Sequence, residues 1–264
     1  MQGNYETELS IAMQALKSSG SILMKWLKPL KEEWKGAINP VTSADKESER
    51  IIVEAIQHAF PDDIIISEEM NPVDESVVEN KRRWYLDPLD GTVNFMRGLP
   101  HWCISIALVN ENNQTVCAVV YDPSREEVYS AIKGKGAWCN GERLQVSQIT
   151  ELNRSVAASG FPYSFENPET NNLWEWTKIT PRVLTMRSLG AAAKDLCEVA
   201  KGRIDIFWEQ DLERWDITAA SLICNEAGAT VTDMKGITLE GPGNHVIVAN
   251  SSLHQQVLEL FKDR

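Results

Sequence analysis

Between residues 5 and 27 the apolar side chains Leu9, Ala12, Met13, Leu16, Leu23 and Leu27 recur at helical spacing. A second run of the same period, Ile51, Ile52, Ala55, Ile56 and Ala59, follows Thr42 and Ser43, which suit a helix start, and Pro61 ends it. The period then changes. Asp63-Ile64-Ile65-Ile66-Ser67 is a short, fully apolar strand running straight into Glu68 and Glu69. Trp84-Tyr85-Leu86 is another, and it leads into Asp87-Pro88-Leu89-Asp90-Gly91-Thr92. Residues 103–109, 116–121 and 127–132 read as meandering strands, with turns at Asn112-Asn113 and Asp122-Pro123 and a hairpin turn at Gly134-Lys135-Gly136-Ala137.

A second half begins near residue 150. Residues 161–181, rich in Pro, Asn and Trp, show no period and read as a long loop. A helix is predicted from about 188 to 200, ended by Gly202, then a strand over 204–208. Residues 215–226 form a helix closed by Gly228, 246–248 a strand, and the tail from Ser251 a last helix. Strands and helices interleave without a clean βαβ rhythm, so the sheets are expected to be mixed and mostly antiparallel, with helices layered on them. No segment looks like a flexible linker. The expectation is one domain, 1–264, of two packed halves, about 1–150 and 151–264.

With 264 residues, 43% of them hydrophobic, the chain has enough apolar mass for a sizeable core. No apolar run approaches the roughly 18 residues of a membrane span. The start, MQGNYETELS, lacks the basic and apolar regions of a signal peptide, so a cytoplasmic protein without membrane contact is expected. Cys103, Cys117, Cys139, Cys197 and Cys224 form no C-x-x-C pair and read as reduced core residues. The net charge of −12 argues against direct nucleic-acid binding. It leaves room for a phosphorylated substrate, because bound metal ions invert the local field.

The candidate chemistry is carboxylate chemistry. Asp87 and Asp90 flank Pro88 and Leu89 in what reads as a turn after a buried strand, and Gly91 permits close approach of backbone to a ligand. If a helical turn begins at Thr92, its free N–H groups make an anion site. Glu68 ends another strand and Asp216 follows Trp215 at a helix start. With no His or Cys among these donors, Mg²⁺ or Mn²⁺ is favoured over Zn²⁺. A lone Asp-x-x-Asp-Gly is usually only a turn. At roughly 5–7% usage per residue type, D-x-x-D-G-T arises about once in 300 chains of this length. Specificity comes from the company it keeps.

Asp87-Pro88-Leu89-Asp90-Gly91-Thr92-Val93-Asn94-Phe95 resembles the first signature of the inositol monophosphatase family, a Mg²⁺-dependent, lithium-sensitive phosphatase superfamily, and Trp215 to Gly228 resembles its second. Ser67-Glu68-Glu69 stands where the family usually has Gly-Glu-Glu. Asn39 to Asp45 resembles its N-terminal motif, and Arg187 to Ala193 matches in order and spacing. The resemblance, from about residue 6 to 260, implies a layered αβαβα sandwich and a phosphatase acting on a small phosphorylated substrate, as a homodimer. By this resemblance Glu68, Asp87 and the Leu89 carbonyl hold one Mg²⁺, while Asp87, Asp90 and Asp216 hold a second. Glu68 shares a third ion, and Mn²⁺ is a possible substitute. Asp45 and Thr92 pair to activate the attacking water, which with Glu68 makes the catalytic set. Gly91 and Thr92 receive the phosphate. Asp90, Gly190, Ala191, Ala192 and Glu209 face the substrate, although Glu209 also reads as a surface charge at a strand end.

Departures bear on specificity. Val93-Asn94-Phe95 follows the inositol phosphatase branch, whereas the bisphosphate nucleotidase branch typically has Lys-Glu-Phe, so inositol monophosphate or another polyol or sugar phosphate is expected. Histidinol-phosphate phosphatases and fructose-1,6-bisphosphatases share the signatures and stay as alternatives. A non-catalytic, metal-binding regulatory protein is the alternative of another class. Trp174 and Trp176 read as a base-stacking platform only on the nucleotide reading, and otherwise as core and interface anchors. Arg187 is expected in a structural ion pair.

Overall fold

The computed structural model describes residues 4–27, 34–35, 39–40, 43–69, 78, 80–163 and 165–262. Val41 and Thr42, part of the N-terminal motif, lie outside them. Helices α1 (Glu6–Trp26) and α2 (Ser43–Ala59) flank a two-stranded ribbon, β1 (Trp34–Lys35) and β2 (Asn39–Pro40). Seven strands then form one sheet in chain order: β3 (Ile64–Ser67), β4 (Arg83–Asp90), β5 (Cys103–Val109), β6 (Thr115–Asp122), β7 (Glu127–Ile132), β8 (Ala137–Cys139) and β9 (Glu142–Arg143). A short helix, α3 (Thr92–Arg97), sits between β4 and β5. The second sheet runs β11-β10-β12-β14-β13, with β10 (Val156–Ser159), β11 (Thr185–Arg187), β12 (Ile206–Glu209), β13 (Thr230–Thr232) and β14 (Val246–Ala249). Its helices are α4 (Leu173–Ile179), α5 (Ala192–Ala200), α6 (Arg214–Glu226) and α7 (Ser251–Phe261).

Both sheets are buried on two faces, which is why their strands read as continuous apolar runs. Trp84, Leu86, Ile104 and Ile106 pack against Leu16 and Leu23 of α1 and Ile52 and Ile56 of α2. From the opposite face Tyr85, Ala107 and Val120 meet Leu196 of α5, Ile217 of α6 and Phe207 and Val248 of the second sheet. The far side of that sheet, Ile206, Trp208 and Ile247, packs on Ile179 of α4 and Leu253, Val257 and Phe261 of α7. The layers are helix, sheet, helix, sheet, helix, as expected. Pairing is mixed and mostly antiparallel; β3–β4, β10–β11 and β10–β12 are the parallel pairs. All five cysteines are buried and free. No helix among the described residues is long and apolar enough to cross a membrane.

Two expectations about the elements need correction, and five short strands go beyond them. The stretch 161–181 is not all loop, because α4 forms within it. The helix expected from 188 begins at Ala192, since β11 and an irregular segment with Gly190 at φ 84° precede it. The short strands β8 to β11 and β13 carry too few residues to show a period.

Gly20 of α1 marks the closest approach of that helix to the sheet. A Cβ there would lie 2.5 Å from Tyr121 Cε1 and 2.9 Å from Pro123 Cγ. Gly20→Ala in an open helix would add stability; here overlap reverses the sign. A loss of about 1–3 kcal/mol is expected from overpacking, read by chemical denaturation, and a stabilised variant would contradict this packing.

Candidate metal and phosphate site

The acidic motif is not a turn after a strand. Strand β4 continues through Asp90, with Asp87 opposite Ser105 and Asp90 opposite Cys103, so three steps on β4 face two on β5. The extra residue is a β-bulge, and Pro88, which has no N–H to give, sits in it. In an unbroken strand residues 87 and 90 would project to opposite faces. The bulge lets both line one cavity. Leu89 N–H donates to Asp87 Oδ1 at 2.9 Å, and the Thr92 hydroxyl donates to the Leu89 carbonyl at 3.0 Å. Gly91 stands at φ 86° ahead of α3, where a Cβ would lie 2.9 Å from that of Ala191. The chain must turn left-handed there with α5 close against it, and only glycine does both without strain.

Asp90 ties the first sheet to α5. Its Oδ1 accepts from Ala192 N–H at 3.1 Å and its Oδ2 from Lys194 N–H at 3.3 Å, both in the first turn of α5. The Asn94 amide donates to the carbonyls of His101 and Leu189, each at 2.7 Å, and so ties α3 to the segment carrying Gly190 and Ala191. Asp216 is the third residue of α6 and closes a capping box, accepting from Glu213 N–H at 2.8 Å. Glu209 ends β12 and is buried rather than a surface charge. It accepts a hydrogen bond from Gly160 N–H, and a Cβ at position 160 would overlap its carboxylate.

These segments enclose a cavity of about 670 Å³ lined by Glu68, Asp87, Leu89, Asp90, Gly91, Thr92, Gly190, Ala191, Ala192, Glu209 and Asp216. Every expected site residue except Asp45 is on that lining. Asp45 is buried on α2, and its charge still reaches Asp87. The wall also holds Trp215 of the second signature and groups the sequence did not single out, notably Phe161, Tyr163, Asp211 and Glu213.

The carboxylates perturb one another. Burial, then the charges of Glu68, Asp90, Asp216 and Asp45, push Asp87 well above the carboxylate range. Burial raises Asp90 to about 6, against the pull of Lys194 N–H and the Cys103 thiol. Asp216 is pushed well up by burial and by Asp90, and Glu209 by burial and Asp195. Among the described residues no three such side chains already gather around one point as a ready metal cluster. The donors are nevertheless all oxygens, and the charge they hold in a buried space is the kind a hard divalent cation compensates. The residues present therefore fit Mg²⁺ or Mn²⁺.

Trp174 and Trp176 do not line the cavity. They belong to the outer layer, Trp174 at 6.2 Å from Phe261 and Trp176 at 6.3 Å from Trp208 between ring centres. Arg187 makes hydrogen bonds to Thr185 Oγ1 and the Met186 carbonyl, both at 2.8 Å, and among the described residues it does not form the expected ion pair.

The sequence profile of the inositol monophosphatase family matches residues 4–264. The chain is 36% identical over 257 residues to the Nus factor SuhB of Haemophilus influenzae, covering 96% of this chain and 95% of that one. Its fold is similar to an inositol monophosphatase from Anabaena, with TM-score 0.87, 32% identity and coverage of 99% and 97% of the two chains. It is also similar to the extragenic suppressor protein suhB of Bartonella henselae, with TM-score 0.86, 32% identity and coverage of 97% and 99%.

Proposed function

We propose, from the premise that this chain belongs to the inositol monophosphatase family, that it hydrolyses a small phosphate monoester with bound Mg²⁺. The observation that carries the reading is the convergence of Glu68, Asp87, Asp90, Asp216 and the Gly91–Thr92 backbone on one cavity. Glu68, Asp87 and the Leu89 carbonyl would hold one ion, and Asp87, Asp90 and Asp216 a second, with Glu68 shared by a third. Such ions supply charge neutralisation on the phosphate and a more acidic water. The protein's share is then positioning. Gly91 and Thr92 present N–H groups to the phosphate, and Glu209 with the Gly190–Ala192 segment takes the hydroxyls of the leaving group. Asp45 and Thr92 hold the attacking water. Because the Thr92 hydroxyl donates to the Leu89 carbonyl, donating to Asp45 instead requires rotation of the hydroxyl.

A polyol monophosphate such as inositol 1-phosphate suits the cavity best. No lysine or arginine is among the described residues lining it, so a second phosphate meets carboxylates and no cation. Phosphate release with Mg²⁺ from inositol 1-phosphate, histidinol phosphate, fructose 1,6-bisphosphate and adenosine 3′,5′-bisphosphate should therefore favour inositol 1-phosphate over either bisphosphate by about tenfold or more in kcat/KM. Preference for either bisphosphate would reject the substrate reading. The name Nus factor, carried by the relative, favours a second reading, a metal-binding protein working through a partner. Release from none of the four would bring that forward.

A further inference from the structure

Among the described residues strand β3 is the edge of the seven-stranded sheet, paired with β4 alone, and its last rung is Ser67 opposite Leu86. Glu68, the next residue, lines the cavity, but the ladder that would hold its backbone has ended. Support comes from the helix behind. Glu49 of α2, itself buried, accepts a hydrogen bond from the Ser67 hydroxyl, and the same Oε1 accepts one from Glu69 N–H at 3.2 Å. Both neighbours of Glu68 are thus tied to α2. Residues 68 and 69 form a bend held on both sides of Glu68, whose side chain lines the cavity.

The same helix steadies the other acidic segment. Ser48 donates to the Pro88 carbonyl at 2.8 Å, between Asp87 and Leu89. With its single proton committed there, Ser48 receives the proton of Ser19 on α1 across 2.5 Å. Asp45, Ser48 and Glu49 share one helix face by their spacing, so a single buried stripe of α2 backs both strand ends.

Ser67 stands where the family resemblance has glycine, and a glycine has no hydroxyl to give Glu49. We propose that Glu49 and Ser67 form a clasp, a pair of positioning residues that set the Glu68 carboxylate for a divalent cation. The clasp rests on the metal part of the proposed function and not on turnover. Glu49 acts here as a hydrogen-bond acceptor that fixes backbone, not as a ligand. Loss of either partner leaves residues 68 and 69 to find their cation-binding arrangement from a wider set of conformers.

The test is Mg²⁺ and Mn²⁺ binding to the whole protein by titration calorimetry without substrate, with the melting temperature as a check on folding. Ser67→Gly and Ser67→Ala should each weaken binding about tenfold, as loss of a group behind a metal ligand does. Glu49→Leu should weaken it as much. Glu49→Gln keeps the accepting oxygen and loses the charge, so it should stay within about threefold of the wild type. Wild-type affinity in both Ser67 variants would overturn the clasp. So would a Glu49→Gln variant as weak as Glu49→Leu, which would make the effect one of charge alone. A wild-type chain that takes up no Mg²⁺ at millimolar concentration overturns clasp and metal site together. One that binds Mg²⁺ and loses affinity in the Ser67 variants, yet releases no phosphate, supports the clasp and removes only the phosphatase reading.

Discussion

Asp216→Asn is expected to lower kcat by about a thousandfold or more, the scale of removing an electrostatic group aimed at the reacting phosphate, and to leave α6 in place. The asparagine keeps an oxygen for Glu213 N–H, so the capping box that starts the helix survives. What disappears is charge. Asp216 is pushed well above its ordinary range by burial and by Asp90, so at neutral pH its ionised form costs the metal-free protein stability. A group whose folded pKa is raised in this way weakens the fold as pH climbs past its unfolded value. Without added metal the variant should therefore melt above the wild type, and the extra stabilisation that Mg²⁺ brings should vanish. Asp90→Asn should lose activity equally but melt lower than Asp216→Asn. Both Asp90 oxygens accept backbone N–H groups from α5, and an asparagine turns one acceptor into a donor facing a donor. Either variant keeping more than about a tenth of wild-type kcat would reject the metal assignment.

The layered architecture was legible because the buried strands are apolar throughout and the long helices keep their period. The bulge at Asp87–Asp90 was not, since its register depends on Ser105 and Cys103 of the neighbouring strand. Read alone, Asp-Pro-Leu-Asp has the chemistry of a turn. Helix α4 was hidden for a related reason. Seven residues among prolines and asparagines show no period, and tertiary packing, with Trp176 5.1 Å from Phe161 between ring centres, holds what local preference does not. In the site, adjacent motif residues were readable, and their supports were not. Ser48 and Glu49 follow Lys46 and Glu47, so the stretch resembles a solvated helix face. Only the fold shows two of the four turned inward.

Lys194 carries the largest expected loss of stability. Its side chain is fully buried, with Nζ 3.0 Å from Asp122 Oδ2, 3.0 Å from Glu198 Oε1 and 3.2 Å from Glu127 Oε2. Burial alone would discharge this ammonium, but Asp122 and Glu198 outweigh it and raise its pKa. Lys194→Ala removes the cation and strands the buried Asp122 carboxylate, whose other cationic neighbour, Arg125, is 4.0 Å away. Breaking a buried pair from one side costs about 3–5 kcal/mol, to be read by urea denaturation at pH 7.5. Lys194→Met fills the space and leaves the same charges unmatched, so it should recover only the packing part. The pH dependence separates the two contributions. Glu198 is held below its ordinary range, because Lys194 and Arg203 overcome the opposing effect of burial, and Glu127 is lowered as well, by Lys201, Tyr129 and Lys194 against burial. For such depressed carboxyls the stabilisation is present above their unfolded pKa and lost as pH falls through the folded one. The gap between wild type and Lys194→Met should then be widest near neutrality and narrow below about pH 4.5, as these carboxyls take up protons. A gap that stays constant to pH 3 would mean that packing, not the ion network, is what Lys194 contributes. Its backbone N–H also holds Asp90, so the same residue joins the stability of the core to the geometry of the cavity.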